Sequence, residues 1–283
     1  MERFDYTIDK IFILKSLGNT DTFADALFEE TIQPYCERVG LATEPPIELL
    51  DVNDWDKAIE KILTDEHRCP LIHFEMHGDD QLGLSLVLGD RIPWQKVIDD
   101  LTRINVRSGF NLIITMAVCY STMNAINISM VKRPAPYLFS VTTSLRVLGE
   151  ETYRLFTVFF KEFIETGELY TALKRIEQTY PELPAKLDIL AVPYLFEIVF
   201  EDFIKKHQET AEIEREFYHV FSEMQQHEVT REEFEKSKEG FLKLYWPMVE
   251  LHYKKCRDIF FMIDKYPENL KRFSLPDKIN LKI

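Results

Sequence analysis

The sequence predicts an α/β protein in which a mostly parallel sheet is flanked by helices and followed by an all-helical C-terminal region. Short apolar, β-rich runs alternate with amphipathic helical stretches in the first part of the chain. This alternation stops near residue 182, and beyond it apolar residues recur at a spacing of three to four. We therefore expect a sheet-bearing domain over residues 1–182 and a helical region over residues 183–283.

Five strand-like segments alternate with helical segments and one hairpin. Because strands joined by helices pair in parallel, we expect a parallel sheet with helices on both faces. The segments are KIFILKSL (10–17), PIELLDV (46–52), PLIHFEM (70–76), NLIITMAV (111–118) and APYLFSVTTS (135–144).

In most of the remaining stretches of the first part, apolar residues recur at the spacing of a helix. One exception, GLSLVLGDRIPW (83–94), is typical of a hairpin that turns at Gly89 and Asp90. The first helix is expected to end at Gly40, since glycine readily adopts the left-handed conformation of a helix cap. The predicted helices span 22–40, 54–66, 94–105, 149–167 and 168–180.

The charge balance argues against a polyanionic partner. The 283 residues contain 34 basic and 48 acidic side chains, a net charge of −14, and the pI is near 5.0. Such a chain is repelled by nucleic acid and by anionic membrane surfaces. The N-terminus has charges where a secretory signal needs an apolar core, and no apolar run approaches membrane-spanning length. We expect a cytoplasmic protein that binds neither nucleic acid nor membrane.

The cysteines and glycines exclude several further classes. Four cysteines lie far apart with no paired spacing, so we expect reduced thiols rather than a disulfide framework or a zinc site. No phosphate-cradling glycine motif occurs, which argues against a nucleotide-using effector. We therefore predict neither a metal nor a cofactor.

One histidine and one cysteine stand at comparable points of the predicted sheet. His77 follows the third predicted strand, and Cys119 follows the fourth. Ligands and catalytic groups collect outside the carboxyl ends of parallel strands. If the two strands are neighbours, the imidazole and the thiol emerge at the same edge. His73, inside the apolar run, is interpreted as a packing residue.

A cysteine beside a histidine is the basis of thiol nucleophilic catalysis. Thiolate is the attacking form, and an adjacent imidazole helps to generate it and can protonate a leaving amine. Gly78 adds a position where backbone can approach a substrate closely. Its N–H and that of Cys119 would stabilise an oxyanion.

The order of these elements resembles the caspase-like cysteine peptidases of clan CD, and most closely the bacterial caspase-like and CHAT-type domains. The resemblance extends over residues 10–180 and depends on the order strand–His–Gly, hairpin, helix, strand–Cys, further strand and helix pair. The matching stretches are HFEMHGDD, LGLSLVLGDRIPWQKVIDDL, LIITMAVCYST and VLGEETYRLFTVFFKEFIETGELYTALKRI.

The resemblance implies a cysteine endopeptidase with His77 and Cys119 as its catalytic dyad and Gly78 at the oxyanion site. It implies protein or peptide substrates cleaved through an acyl-enzyme, without a metal. Bacterial relatives of this kind often act in defence modules or regulated proteolysis. The helical region would then be a regulatory or partner-binding surface.

The chain departs from the family at the residue two before the cysteine. In the family this residue helps to line the pocket for the substrate's P1 side chain, the side chain immediately before the cleaved bond. Here it is Ala117, which matches neither the glutamine of caspases nor the aspartate of some Arg-specific relatives. The P1 preference is therefore left open.

Other residues near the dyad are candidates for substrate binding. Asp79 and Asp80 would attract a basic P1 side chain, whereas Arg146 would read an acidic one. Thr142 and Thr143 would form a wall of the pocket.

The alternative function is a catalytically inactive pseudo-peptidase whose α/β domain serves as a protein-interaction module. The presence of both dyad residues argues against this alternative. Close approach of imidazole and thiol in an open crevice would favour the enzyme.

Overall fold

The described residues form two compact units, each with its own core. The first falls within residues 1–130 and 134–192, and the second within 131–133 and 193–283. The predicted α/β class with a helical C-terminal region is confirmed. The computed structural model describes residues 5–18, 23–119, 131–143, 149–182, 187–208, 210–225 and 230–275.

One mixed sheet forms the centre of the first unit. Its strands are β1 (Lys10–Ser16), β2 (Ala42–Thr43), β3 (Ile47–Glu48), β4 (Pro70–Asp79), β5 (Gly83–Ser85), β6 (Arg91–Ile92), β7 (Ile113–Ala117), β8 (Phe139–Thr143) and β9 (Leu187–Ala191). The order is β2-β1-β4-β7-β8-β9, with β3 beside β1 and the hairpin β5-β6 on the end of β4. β1, β4, β7 and β8 run parallel, and β9 is antiparallel to β8.

Helices cover both faces of this sheet, so its central strands are apolar on both sides. The helices are α1 (Phe23–Leu27), α2 (Gln33–Val39), α3 (Val52–Thr64), α4 (Trp94–Arg107), α5 (Gly149–Thr166) and α6 (Leu169–Thr179), with a π-helical turn (Phe28–Ile32) between α1 and α2. Because side chains alternate along a strand, Phe74 stacks on Trp55 of α3, 6.1 Å between ring centroids, while His73 meets Phe156 of α5 on the other face, 4.8 Å away. Burial of each large apolar ring contributes about 1.5–3 kcal/mol.

Local signals explain where several elements begin and end. Gly40 ends α2 in the left-handed conformation (φ 72°), as predicted. Asp51 caps α3 by accepting a hydrogen bond from the backbone N–H of Asp54 at 3.0 Å. This cap starts the helix at Val52, so the strand predicted over 46–52 is reduced to β3.

The predicted hairpin over 83–94 is confirmed. β5 and β6 pair antiparallel, and Leu86 N–H donates to the Asp90 carbonyl across a turn that contains Gly89 (φ 92°). Gly83 (φ 100°) is in contact with the carbonyl of Ile92, where any side chain would overlap the backbone.

The first unit extends to Val192, ten residues beyond the boundary predicted near 182. The reason is β9, which the sequence analysis assigned to the helical region. β9 ends the strand order of the described sheet, and its five residues show no clear alternation of buried and exposed positions. Pairing with β8 decides its conformation, and Val192 N–H continues the ladder to the Leu138 carbonyl at 3.0 Å.

The second unit is helical and has an aromatic core. Its helices are α7 (Val192–Gln208), α8 (Thr210–Gln225), α9 (Arg231–Phe260) and α10 (Asn269–Arg272). Phe217 of α8 packs edge-on against Phe234 and Phe241 of α9, with centroids 4.9 and 5.2 Å apart. Thr230 and Glu233 form a capping box at the start of α9, which continues through Pro247. Among the described helices, none has both the length and the apolar composition that crossing a membrane requires.

Candidate active site

The candidate site lies at the carboxyl edge of the sheet, where β4 and β7 end side by side. The two strands pair in parallel, Glu75 with Ala117, an offset of 117 − 75 = 42 residues. The pairing stops there: Cys119 lies in the turn that follows β7, and His77 lies in the last part of β4, which pairs with β5. Neighbouring strands are about 4.8 Å apart, and residues two apart share a face. The expectation that the two strands are neighbours is confirmed.

Gly78 is packed directly against the segment that contains Cys119. A Cβ atom on Gly78 would overlap the Cγ1 methyl group of Val118 and lie 2.8 Å from the Cys119 carbonyl oxygen. The residue after His77 is therefore in van der Waals contact with the end of β7. Glycine is required here by this close approach, and its conformational freedom is not the reason.

A hydrogen bond from the next strand fixes the backbone just before the cysteine. Thr143 of β8 is fully buried, and its hydroxyl donates to the carbonyl of Val118 at 3.1 Å. The residue that precedes Cys119 is thereby held from both sides, by Gly78 and by Thr143. The backbone next to Cys119 is therefore fixed at the end of β7.

The four cysteines differ in their exposure to solvent. Cys36 and Cys256 are buried, whereas Cys69 and Cys119 are partly exposed. Burial, with a contribution from the charge of Glu37, raises the pKa of Cys36 to about 12. Burial also raises the pKa of Cys256, against the opposing charges of nearby lysines. Cys69 precedes β4 and so lies at the opposite, amino edge of the sheet.

His77 is exposed, and its backbone is part of the hairpin extension of β4. It pairs with Ser85 of β5, which turns the chain away from the main sheet. Neither the His77 ring nor the Cys119 thiol makes a side-chain hydrogen bond within the part of the chain that the structure describes. Catalytic hydrogen bonds are often long in the absence of substrate and tighten only in the complex.

Two contacts anchor the hairpin beside this edge. The indole N–H of Trp94 donates to the Asp79 carbonyl at 2.8 Å, which ties the end of β4 to the start of α4. The Ser16 hydroxyl, at the end of β1, donates to the Leu49 carbonyl at 2.5 Å and accepts the N–H of Val87 at 3.0 Å. The end of β4 is thus tied to α4, and the hairpin is tied to the end of β1.

A buried hydrogen-bonded network lies on β4 before the dyad. His73 is fully buried, with its Nδ1 2.8 Å from the Thr115 hydroxyl and its Nε2 2.9 Å from a carboxylate oxygen of Glu75. A carboxylate only accepts, so Nε2–H is the donor to Glu75, and Nδ1 and the Thr115 hydroxyl share a second hydrogen bond. His73 packs in the core as predicted, but it does so as part of a polar network.

Sequence reasoning did not single out Glu75. Its exposed fraction is 6%. The signal that would have found it is the period of two along the strand, since His73, Glu75 and His77 share one face of β4. An acid two residues before the candidate histidine, inside an apolar strand, needs a partner or a function.

The predicted substrate-binding aspartates have different surroundings. Asp79 accepts the N–H groups of Gln81 and Leu82 through one oxygen, each at 2.9 Å, and its other oxygen is 3.9 Å from the Arg91 guanidinium. The hydrogen bonds from Gln81 and Leu82 lower the pKa of Asp79. Asp79 therefore stabilises the turn after β4, while Asp80 is exposed.

The remaining predicted substrate residues are not equivalent. Thr142 and Thr143 are both buried and point to opposite faces of β8, because they are consecutive in a strand. Thr143 is next in line with Ala117 in the register of β7 and β8. Arg146 lies outside the described residues.

Other candidate sites are few in the described part of the chain. There, no three His, Cys, Asp or Glu side chains converge as a metal site would require. A surface cavity of about 430 Å³ lies at the amino edge of the sheet, between Tyr6, Gly40 and Phe163. A second, of about 190 Å³, lies between α6 and β9, lined by Ile176 and Ile189 among others. Neither cavity includes His77 or Cys119.

No protein-family model matches the chain, and a search of the curated proteins finds no relative.

Proposed function

We propose that this protein is a caspase-like cysteine endopeptidase that acts on specific protein substrates in the cytoplasm. The observation that supports this proposal is that β4 and β7 are parallel neighbours and that Gly78, the residue after His77, packs against the Cys119 backbone at the carboxyl edge. Thiol catalysis needs a nucleophile and a base held close together, and the ends of two neighbouring strands could supply both.

In the proposed reaction the imidazole of His77 takes the proton of the Cys119 thiol, and the sulfur attacks the carbonyl carbon of the scissile peptide bond. The N–H groups of Gly78 and Cys119 stabilise the resulting oxyanion, an interaction whose loss typically raises the barrier by about 2.7–4 kcal/mol. The imidazolium then protonates the leaving amine. Water, deprotonated by the same imidazole, hydrolyses the thioester and restores the thiol.

The second unit would regulate this activity or bind a partner. Its aromatic rings pack among themselves, as in the cluster of Phe217, Phe234 and Phe241, and so serve as its core. In this proposal the enzyme belongs to a regulated proteolytic system, such as a bacterial defence module. Its cleavage of one partner protein activates or inactivates that partner.

Comparison of new protein N-termini in a bacterial lysate tests the proposal. The intact protein is incubated with the lysate beside its Cys119→Ala and His77→Ala variants, and new N-termini are mapped by mass spectrometry. We expect a small set of cleavages that both variants lose. Cys69→Ala is the matched control, because it removes a partly exposed thiol from the opposite edge of the sheet and should leave these cleavages intact.

The pseudo-peptidase is the second candidate, and the lack of a hydrogen bond between the His77 and Cys119 side chains favours it. If the protein is a pseudo-peptidase, the lysate should show no cleavage that depends on Cys119. Capture of the same partner protein by the intact chain and by Cys119→Ala would then support a docking role.

A further inference from the structure

The long helix α9 carries a line of apolar side chains that its own core does not use. Leu244, Met248 and Leu251 have 70%, 66% and 66% of their surfaces exposed. At 3.6 residues per turn, they lie on one side of the helix. Phe241 and Tyr245, which α9 buries at this level, belong to the aromatic core instead. Within the described residues, this line is left uncovered.

The spacing of the three residues is that of a seam between helices. Single exposed apolar residues are common on protein surfaces, but a contiguous line of them marks a contact surface. Intervals of four residues and then three are those between the apolar a and d positions of a coiled coil. Lys255 follows Leu251 by another four residues. The line therefore fits a second helix with the same spacing.

Gly240 lies on the same side of α9, one turn before Leu244. It is exposed, and no atom lies within 4 Å of the Cβ that a side chain would add. Glycine inside a helix is unfavourable, and packing within the described chain does not require it here. A glycine does allow another group to approach the helix backbone closely. The position therefore suits contact with a group from outside the chain.

The arrangement of this surface matches a second copy of itself in antiparallel orientation. In a two-fold pair, each helix presents the same surface to the other. If Leu244 lies opposite Leu251 of the second copy, the numbers of opposed residues add up to 244 + 251 = 495. Gly240 is then opposite Lys255, because 240 + 255 = 495. The lysine stem would cross the second helix where that helix has no side chain.

The charges along one flank of the line are complementary in the same register. Lys243 falls within two residues of Glu250 of the second copy, and Lys254 falls within two residues of Glu239. Within the described chain, Lys243 bonds Glu239 at 2.8 Å, whereas Glu250 and Lys254 have no ion-pair partner. The antiparallel pair would supply one to each of them.

The local charge permits contact between copies. Residues 239–255 contain three lysines and two glutamates, a charge of 3 − 2 = +1, whereas the whole chain carries −14. The overall charge weakens association, but the local charge does not add to that repulsion. The surface from Gly240 to Lys255 is about 22 Å long and about 10 Å wide. This is smaller than the roughly 800 Å² per partner of a standard stable interface, so we expect reversible association.

We propose that α9 joins two copies of this protein as an antiparallel helix pair, with Leu244, Met248 and Leu251 in the contact. The inference concerns the second unit and does not rest on the proposed peptidase function. It assigns the exposed apolar face of α9 to a second copy of the same chain.

Sedimentation velocity of the full chain, from about 2 to 200 µM, tests whether it associates. We expect a reversible equilibrium between monomer and dimer. Leu251→Glu introduces two charges into the contact, one from each copy, and should weaken the dimer at least about tenfold. Ile198→Glu is the matched control, because Ile198 of α7 is 62% exposed and lies outside the proposed contact. Circular dichroism checks that both variants keep their helices.

Disulfide cross-linking tests the orientation of the pair. Met248 lies next to the two-fold axis, since 248 + 248 differs from 495 by one. The two copies of Leu244 are seven residues apart along the helix, about 10 Å. A disulfide requires Cα atoms within about 7 Å of each other. We expect Met248→Cys to form an oxidised dimer and Leu244→Cys to form none, with the intact protein as the measure of cross-linking by native cysteines.

Each outcome supports or overturns the proposal. A chain that stays monomeric over the whole concentration range overturns it, and so does a dimer that Leu251→Glu leaves intact. Equal cross-linking through both introduced cysteines overturns the antiparallel arrangement. None of these results depends on the chemistry of His77 and Cys119, which the lysate experiment tests separately.

Discussion

Gly78 and Cys119 are in direct contact across the ends of β4 and β7, since a Cβ atom on Gly78 would lie 2.8 Å from the Cys119 carbonyl oxygen. The contact joins the hairpin extension of β4 to the strand end that carries the thiol. The geometry of the candidate site therefore depends on a residue without a side chain.

Gly78→Ala should displace the Val118–Cys119 segment and destabilise the first unit. The added methyl group has no free space, and overpacking in a well-packed region typically costs about 1–3 kcal/mol. Urea unfolding measures the loss. Gly18→Ala is the control, because no atom lies within 4 Å of the Cβ that it adds, and it should leave stability nearly unchanged. Equal stability of the two variants would contradict the close contact.

Iodoacetamide should modify the partly exposed Cys119 before the buried Cys36 and Cys256. The pKa of Cys36, raised to about 12, leaves almost no thiolate at neutral pH, and burial blocks access. Timed alkylation followed by peptide mapping gives the order. His77→Ala should slow the reaction of Cys119 and leave that of Cys69 unchanged. An unchanged Cys119 rate in that variant would argue against activation by the imidazole.

His73→Leu should be strongly destabilising, by about 3–5 kcal/mol, because it leaves the Glu75 carboxylate buried without its described partner. The double variant His73→Leu with Glu75→Leu should recover part of this loss, since removal of both polar groups leaves no unpaired charge. Denaturant unfolding of the two single variants and of the double variant gives the free energies of unfolding for a double-mutant cycle. A double variant as unstable as the sum of the single changes would show that the two side chains do not interact.

Asp65 should make the first unit sensitive to acid. Burial alone would raise its pKa, but hydrogen bonds from Lys10 and His67 outweigh this effect and lower the pKa of Asp65 to about 2. Because the folded pKa is below the unfolded value of about 3.9, the stabilisation is present above pH 4 and is lost as pH falls towards 2. We expect about 1–2 kcal/mol, the lower end reflecting partial solvent screening.

Asp65→Asn should therefore reduce the free energy of unfolding at pH 7 and flatten its decline between about pH 4 and pH 2. Urea unfolding at several pH values measures both effects. Asp65 contacts Lys10 at the start of β1, at the edge of the sheet opposite the dyad. Alkylation of Cys119 in the variant should proceed at the rate of the intact protein, and a large change in that rate would contradict the separation of the two edges.

Much of the first unit follows from local patterns. The long apolar strands, the cap at Asp51 and the glycine end of α2 at Gly40 are short-range features, so the sequence is enough to locate them. β9 could not be located in this way, because its five residues, LDILA, show no alternation of apolar and polar side chains that distinguishes them from the start of a helix.

In the candidate site, too, some features follow from local sequence and others from long-range contacts. His77 and Cys119 could be selected from the sequence because each follows an apolar strand, and this requires only a local signal. The contact of Gly78 with Cys119 and the hydrogen bond of His73 with Thr115 depend on long-range pairing.

The sequence by itself determined the class of the fold, the order of most elements and the choice of His77 and Cys119 as candidate residues. Only the tertiary structure decided that β4 and β7 are neighbours, that Gly78 touches Cys119 and that His73 is bonded to Thr115 of β7. The physical reason is that turns and caps are governed by neighbours in the chain, whereas strand register and the pairing of buried charges are set by the packing of segments far apart in sequence.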